Sequence, residues 1–231
     1  MNEQAAGSTP ETDWALPNGW FFTQARTSTD ADQGYSIVDD ADAQMWSEFQ
    51  RLGGWRALGF PASRRFKWHG ALSQATQRAV LQWSPVTGQV EFANVLDLMH
   101  DENRDDDLRA DKQIPPPQEV DDAGLPYEVI AARRLAWLDA RPAIKAKYCG
   151  APGGADPIQL WGLPTSKAVN MSDVGEVYVL RTQRAAFQEW VNGADWAAPG
   201  EVTVVLGGDL AKEFSLLPAE ALTPEPAPAH S

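Results

Sequence analysis

A chain of 231 residues carries 19 basic and 32 acidic side chains, which leaves a net charge of −13 at neutral pH. That charge opposes any surface that must neutralise phosphates, and no Lys/Arg cluster reverses it locally, so nucleic acid and anionic membrane are expected to be poor partners, with no nucleic-acid binding and no membrane insertion. Apolar residues at 43% are enough for a core, which excludes a wholly disordered chain, and no run approaches the roughly 18 apolar residues of a spanning helix. The chain is therefore expected to be soluble, and its length fits one large or two small domains. Cys149 is the only cysteine, so neither an intrachain disulfide nor a thiolate metal cluster can form. Met1 to Asp13 is polar where a signal peptide would be basic and then apolar, so the chain is expected to be cytoplasmic, or else a mature or truncated form.

In chain order, Asp39 or Asp40 can cap a helix whose Trp46, Phe49 and Leu52 are spaced three apart, with Gly53-Gly54 as its stop. Gly59-Phe60-Pro61 suits a fixed turn, the glycine allowing a positive φ and the proline fixing the next one. Phe66 to Gln74 reads as a weak strand. Ala79 to Trp83, the turn Ser84-Pro85-Val86-Thr87-Gly88, and Val90 to Val95 read as a hairpin. An acidic run from Asp101 and the prolines 115–117 read as an exposed linker. Beyond it, Val129, Ile130, Ala131, Leu135, Trp137 and Leu138 give a helical stripe stopped near Pro142. Glu176 to Arg181, Ala185 to Trp190 and Val202 to Leu206 read as strands, and the Pro-rich end from Thr223 as a disordered tail.

The same words recur in the same order. Gly59-Phe60-Pro61-Ala62-Ser63 is echoed by Gly162-Leu163-Pro164-Thr165-Ser166, Thr76-Gln77-Arg78-Ala79 by Thr182-Gln183-Arg184-Ala185, and Asp97-Leu98 by Asp209-Leu210. Three ordered matches point to a tandem duplication. The expected fold is α+β: two tandem related modules, each a helix packed on a small antiparallel β-meander, joined face to face. The boundaries are a disordered segment 1–16, a first module 17–100, a linker 101–122, a second module 123–217 and a disordered tail 218–231.

Phe49 to Gly54, Leu58-Gly59-Phe60-Pro61 and Trp83-Ser84-Pro85-Val86-Thr87-Gly88 together resemble the LGFP repeat. The likeness covers Trp46 to Leu98 and, more loosely, Leu138 to Ala211, where Trp161 replaces the leucine and the Ser-Pro-x-Thr-Gly turn is missing. It implies a noncatalytic module, extracellular or on the cell surface, that binds an envelope polysaccharide or a protein partner, with no cofactor.

Ten tryptophans are a heavy load, and an exposed indole can stack on a sugar face. Trp83 and Trp190 occupy equivalent hairpin positions and are the first candidates for such a platform, the alternative being core packing. Trp14, Trp20, Phe21 and Phe22 precede the first module and are read as cover for its edge. Gln77, Arg78, Gln183 and Arg184 are candidate ligand contacts. Their structural alternative is to satisfy the backbone of the Gly-x-Pro turn or to pair with Asp97 and Asp209. The rival function is a glycan hydrolase using Asp97 and Asp209 as a carboxylate pair, which would require about 5–9.5 Å between them; a third is a structural subunit of a larger assembly. Asp101-x-Asn103-x-Asp105 begins like a calcium loop but has Asp106 where glycine is needed and Lys112 where a bidentate glutamate would stand. His69, His100 and His230 lack ligand spacing, and Cys149 would be nucleophilic only with His69 or His100 beside it.

Overall fold

The computed structural model describes residues 13–23, 33–171 and 176–228. The chain begins with β1 (Trp14–Leu16), β2 (Gly19–Phe22) and β3 (Gln33–Val38), then α1 (Met45–Arg51) and α2 (Gly54–Leu58). A meander follows: β4 (Phe66–Trp68), β5 (Ala71–Ala75), β6 (Val80–Ser84) and β7 (Gln89–Phe92), closed by α3 (Val95–Asp101). Next come α4 (Asp105–Lys112) and α5 (Tyr127–Leu135) with a 3-10 turn, Ala136–Ala140. Then α6 (Pro142–Cys149) and α7 (Pro157–Trp161) lead into a second meander: β8 (Val169–Asn170), β9 (Val177–Arg181), β10 (Ala185–Trp190) and β11 (Glu201–Leu206). The chain ends with α8 (Gly207–Glu213) and β12 (Glu225–Pro226), which pairs with β3. The protein is thus α+β, with antiparallel strands in three four-stranded sheets among the described residues.

The two meanders use the same local chemistry. Gly59 and Gly162 have φ of 76° and 74°, and a Cβ there would lie 2.8 Å from the Cβ of Gln77 and 2.7 Å from that of Gln183. Only glycine meets both demands. The turn amides of Phe60 and Leu163 each donate to a glutamine Oε1, that of Gln77 and of Gln183, at 3.0 Å. Ser63 Oγ accepts from Ala75 N at 2.8 Å, and Ser166 Oγ from Arg181 N at 3.1 Å, which accounts for the serine that ends each echoed turn.

The halves interlock through their closing helices. A helix leaves its first amides without internal acceptors. Leu96 N, in the first turn of α3, donates to Gln183 O at 3.0 Å, and Asp209 N, in the first turn of α8, donates to Gln77 O at 3.0 Å. Each helix is thereby capped by the turn of the other half, and α3 packs against α8. Both apolar cores are mixed accordingly: one holds Leu58 and Leu81 with Tyr148, Trp161 and Phe187, the other Val80 and Leu96 with Val177, Trp190 and Leu210. Adjacent residues such as Val80 and Leu81 face opposite cores, so β6 and β10 are apolar on both faces and their sequences run without clean alternation.

Several expectations are corrected. Trp14–Leu16 is a strand rather than disordered, while residues 1–12 lie outside the described residues. The stretch 101–122 is not an exposed linker throughout: it contains α4, and Leu108 and Ile114 are fully buried. The helical stretch through the 129–138 stripe ends at Ala140, with Arg141 out of the helical region just before Pro142, as expected, and Pro142 then also starts α6, where its missing N–H costs nothing. It is α6 and α7, rather than the 129–138 stripe, that lead directly into the second Gly-x-Pro turn. The tail is ordered through β12, whose Glu225 Oε1 accepts from Ser36 N and Oγ, both at 2.8 Å. Proline is tolerated there because β12 is an edge strand. Residues 229–231, with His230, lie outside the described residues.

Candidate functional site

Trp83 and Trp190 do not form a paired platform. Trp190 is buried, donates from Nε1 to Thr203 Oγ1 at 2.9 Å and meets Trp196 edge-on at 5.3 Å. Trp83 is half-buried against the other core. The register explains the difference: Thr76 and Leu81 correspond to Thr182 and Phe187, so Glu189 stands where Trp83 does. Trp190 is one residue further on, and one step along a strand turns a side chain to the opposite face.

Gln77, Arg78, Gln183 and Arg184 each bond to the protein itself, the two glutamines through Oε1 to the turn amides of Phe60 and Leu163. Arg78 Nη1 reaches the carbonyls of Arg56 and Ala57 at 3.4 and 3.5 Å, at the end of α2. Arg184 repeats this at the end of α7, reaching Ile158 O at 3.1 Å and Gln159 O, and adds Asn94 Oδ1 at 2.8 Å. These are helix carboxyl ends, where a cation is favourable. Gln183 also donates from Nε2 to Asp97 Oδ2 at 3.1 Å.

Asp97 and Asp209 have different surroundings. Burial pushes the carboxyl of each above the ordinary range, but the charges that modulate them are disjoint: Arg181, Asp101 and Arg134 for Asp97; Glu213, Lys212, Arg78 and Lys112 for Asp209. Because the folded chain holds the Asp209 proton more tightly than the unfolded one, stability falls as pH rises from the ordinary carboxylate value through the raised one. Asp209→Asn is expected to unfold at a higher temperature than the parent at pH 7 and at the same temperature near pH 3, as thermal melts at the two pH values would show.

Asp105 is taken up by Arg181 and His100 rather than aligned with Asp101 and Asn103, and among the described residues no three metal-ligating side chains cluster. Cys149 is exposed at the end of α6, beside a cavity of about 480 Å³ lined by Leu135, Leu138 and Ile158, with no histidine on its walls.

Where aromatic groups do converge is a cleft of about 290 Å³ between β2, α1 and α2, walled by Trp20, Trp46 and Trp55 with Gln50 and Arg56 at its polar side. Alternation along β2 puts Trp20 on the cleft side and buries Phe21 fully. On α1 the one-turn spacing separates Met45 and Phe49, both fully buried, from Trp46 and Gln50, which face the cleft. Gly53 and Gly54, at φ 97° and 59°, reverse the chain so that α2 brings Trp55 to the opposite wall. Trp20 and Trp46 lie nearly parallel, 6.1 Å and 17° apart. Trp55 is stacked on Phe60 at 5.6 Å and 3°, and the Arg56 guanidinium carbon lies 5.1 Å from the Trp55 ring centroid. All three indoles are half-buried, held from behind and open in front.

No protein-family model matches this chain, and no curated protein matches it. The likeness to the LGFP repeat therefore rests on the short motifs themselves.

The sequence reading gave Trp20 to the edge cover and Trp46 to the helix stripe and did not single out Trp55, because each comes from a different element. The available signal was the pairing of Trp46 with Gln50 against Met45 with Phe49, which marks a helix with an aromatic on its second face.

Proposed function

We propose that the protein is a noncatalytic binding module, extracellular or on the cell surface, that takes an envelope polysaccharide into the Trp20–Trp46–Trp55 cleft. The observation that carries this is the cleft itself: three half-exposed indoles fixed by packing, with a guanidinium and an amide at the margin. Rigid aromatic faces suit the apolar face of a sugar ring, and Gln50 and Arg56 supply donors for its hydroxyls. Each such contact is worth about 1 kcal/mol, so a single site is weak and gains from a repeating ligand.

We further read the chain as two copies of one folding unit locked by the reciprocal capping of α3 and α8. The recurrence of the Gly-x-Pro-x-Ser turn, its glutamine acceptor and its arginine on the preceding helix end supports that reading. The units differ at the cleft. Where α1 and α2 present Trp46 and Trp55, the corresponding α6 and α7 present no tryptophan to solvent, Trp161 being buried.

The test is retention on purified envelope polysaccharides by affinity electrophoresis. Trp46→Ala and Trp55→Ala are each expected to weaken retention about tenfold, the equivalent of 1.4 kcal/mol, while Trp83→Ala leaves it unchanged. Equal retention by all three variants and the parent would overturn the assignment.

A further inference from the structure

The aromatic cleft is charged in one sense only. Arg56 is the single ionisable residue that lines it, although the chain has 32 acidic side chains against 19 basic ones. Glu48, the acid of α1, is spent elsewhere: its carboxylate accepts from Arg51 Nε at 2.6 Å and from the amide of Val90 at 2.8 Å. Beyond about 8 Å the acidic remainder of the chain is screened at physiological ionic strength, so the sign of the cleft is set by its own walls.

The second observation is that the donors of Arg56 are unused. Among the described residues every other arginine except Arg109, on α4, donates from its side chain to a carboxylate, a carbonyl or a side-chain amide. Arg56 makes no such bond and no ion pair, yet its guanidinium is placed: Cζ lies 5.1 Å from the Trp55 ring centroid, and Trp55 is itself stacked on Phe60. Five N–H donors are thus held at the wall of the cleft with nothing in the protein to accept from them.

We propose that the cleft selects an acidic sugar, a hexuronic acid unit whose carboxylate is taken by Arg56, and that Arg56 is the residue that tells it from a neutral polysaccharide. The proposal rests on the reading of the cleft as a sugar platform. A guanidinium meets a carboxylate through two parallel N–H···O bonds. The carboxylate of a hexuronic acid leaves the edge of the ring, so it can reach a cation at the margin while the ring face lies on the indoles. A phosphate monoester carries about 1.5–2 negative charges and would find one guanidinium to meet them. An amino sugar would find a cation and no carboxylate.

The experiment is calorimetric titration of the full chain at neutral pH with cellotetraose and with its C6-oxidised counterpart, in which each hydroxymethyl group is a carboxylate. The oxidised compound is expected to bind about tenfold more tightly. Raising the salt from about 0.05 to 0.5 M is expected to erase most of that preference. Arg56→Gln is expected to bring the two affinities within about twofold of each other, and Arg56→Lys, which keeps the charge and loses the fork, to give an intermediate ratio. Trp46→Ala weakens both compounds. Equal binding of the two by the parent, or a preference that survives Arg56→Gln, would overturn the proposal; where both compounds still weaken in Trp46→Ala, the polysaccharide reading stands without it. Binding of the oxidised compound untouched by Trp46→Ala would overturn it too, by placing the carboxylate outside the cleft. Binding of neither compound also overturns it, and retention on envelope polysaccharides then decides separately the reading on which it rests.

Discussion

Gly208→Ala is expected to destabilise the protein by about 3 kcal/mol or more, because it drives a methyl group into the backbone that caps α8. A Cβ at Gly208 would stand 1.8 Å from Thr76 O and 2.9 Å from Gln77 C and O. One at the neighbouring Gly207 would stand 2.2 Å from Arg184 O. These two glycines lie between the Thr-Gln-Arg turns of both halves, and nothing there is the movable end of a side chain. To admit the methyl, α8 must retreat, breaking the Asp209 N to Gln77 O bond and loosening Leu210 and Ala211, both fully buried. In a chain of this length the loss corresponds to a fall of roughly 10 °C in unfolding midpoint. Gly70→Ala is the comparison. Gly70 has φ 82° and no atom within 4 Å of the place its methyl group would take, so it bears only the backbone strain of about 1–2 kcal/mol. Thermal melts in which the two variants fall by the same amount would show that α8 is not seated on this turn.

How much of this was legible follows from which forces are local. The β6–β7 hairpin could be read because Ser84 to Gly88 is a turn sequence between apolar runs, and Gly59 and Gly162 because both φ and space demand glycine. The preference of Gln77 and Gln183 for turn backbone was one of two alternatives, and the amides of Phe60 and Leu163 select it. What could not be read depends on partners distant in sequence. Asp105, Asp106 and Asp107 look like a solvated run, yet acidic residues in a first turn favour a helix, and α4 buries Leu108 while Asp105 meets Arg181 from β9. The prolines near the end gave no hint that Glu225 would bind Ser36, 189 positions away. The aromatic cleft needs β2, α1 and α2 together, and the face of Trp190 turned on one residue of register.

The second large effect is expected at Arg181, the largest fully buried side chain among the described residues. Its guanidinium reaches three parts of the chain: Nη1 donates to Asp105 Oδ1 at 2.6 Å and Pro115 O at 3.1 Å, and Nη2 donates to Leu96 O. One side chain on β9 thus ties down α3, the start of α4 and the proline stretch, which explains why the acidic segment is packed rather than free. Arg181→Met keeps the volume but leaves Asp105 and two carbonyls without their donor, and removing one partner of a buried pair costs about 3–5 kcal/mol. The acid side of the stability profile should change with it. Burial raises the Asp105 carboxyl, but the hydrogen bonds from Arg181 and His100 outweigh burial and hold it below the ordinary carboxylate range. The unfolded chain therefore binds this proton more readily, so the contribution is complete above the ordinary value of about 4 and is lost as pH falls through the lower folded value. Denaturant unfolding at pH 7 and near pH 3 is expected to show Arg181→Met far less stable than the parent at pH 7, with a narrower gap at pH 3. A gap that stays constant between the two would mean that Asp105 draws nothing from Arg181 and that the acidic segment is anchored by Leu108 and Ile114 alone.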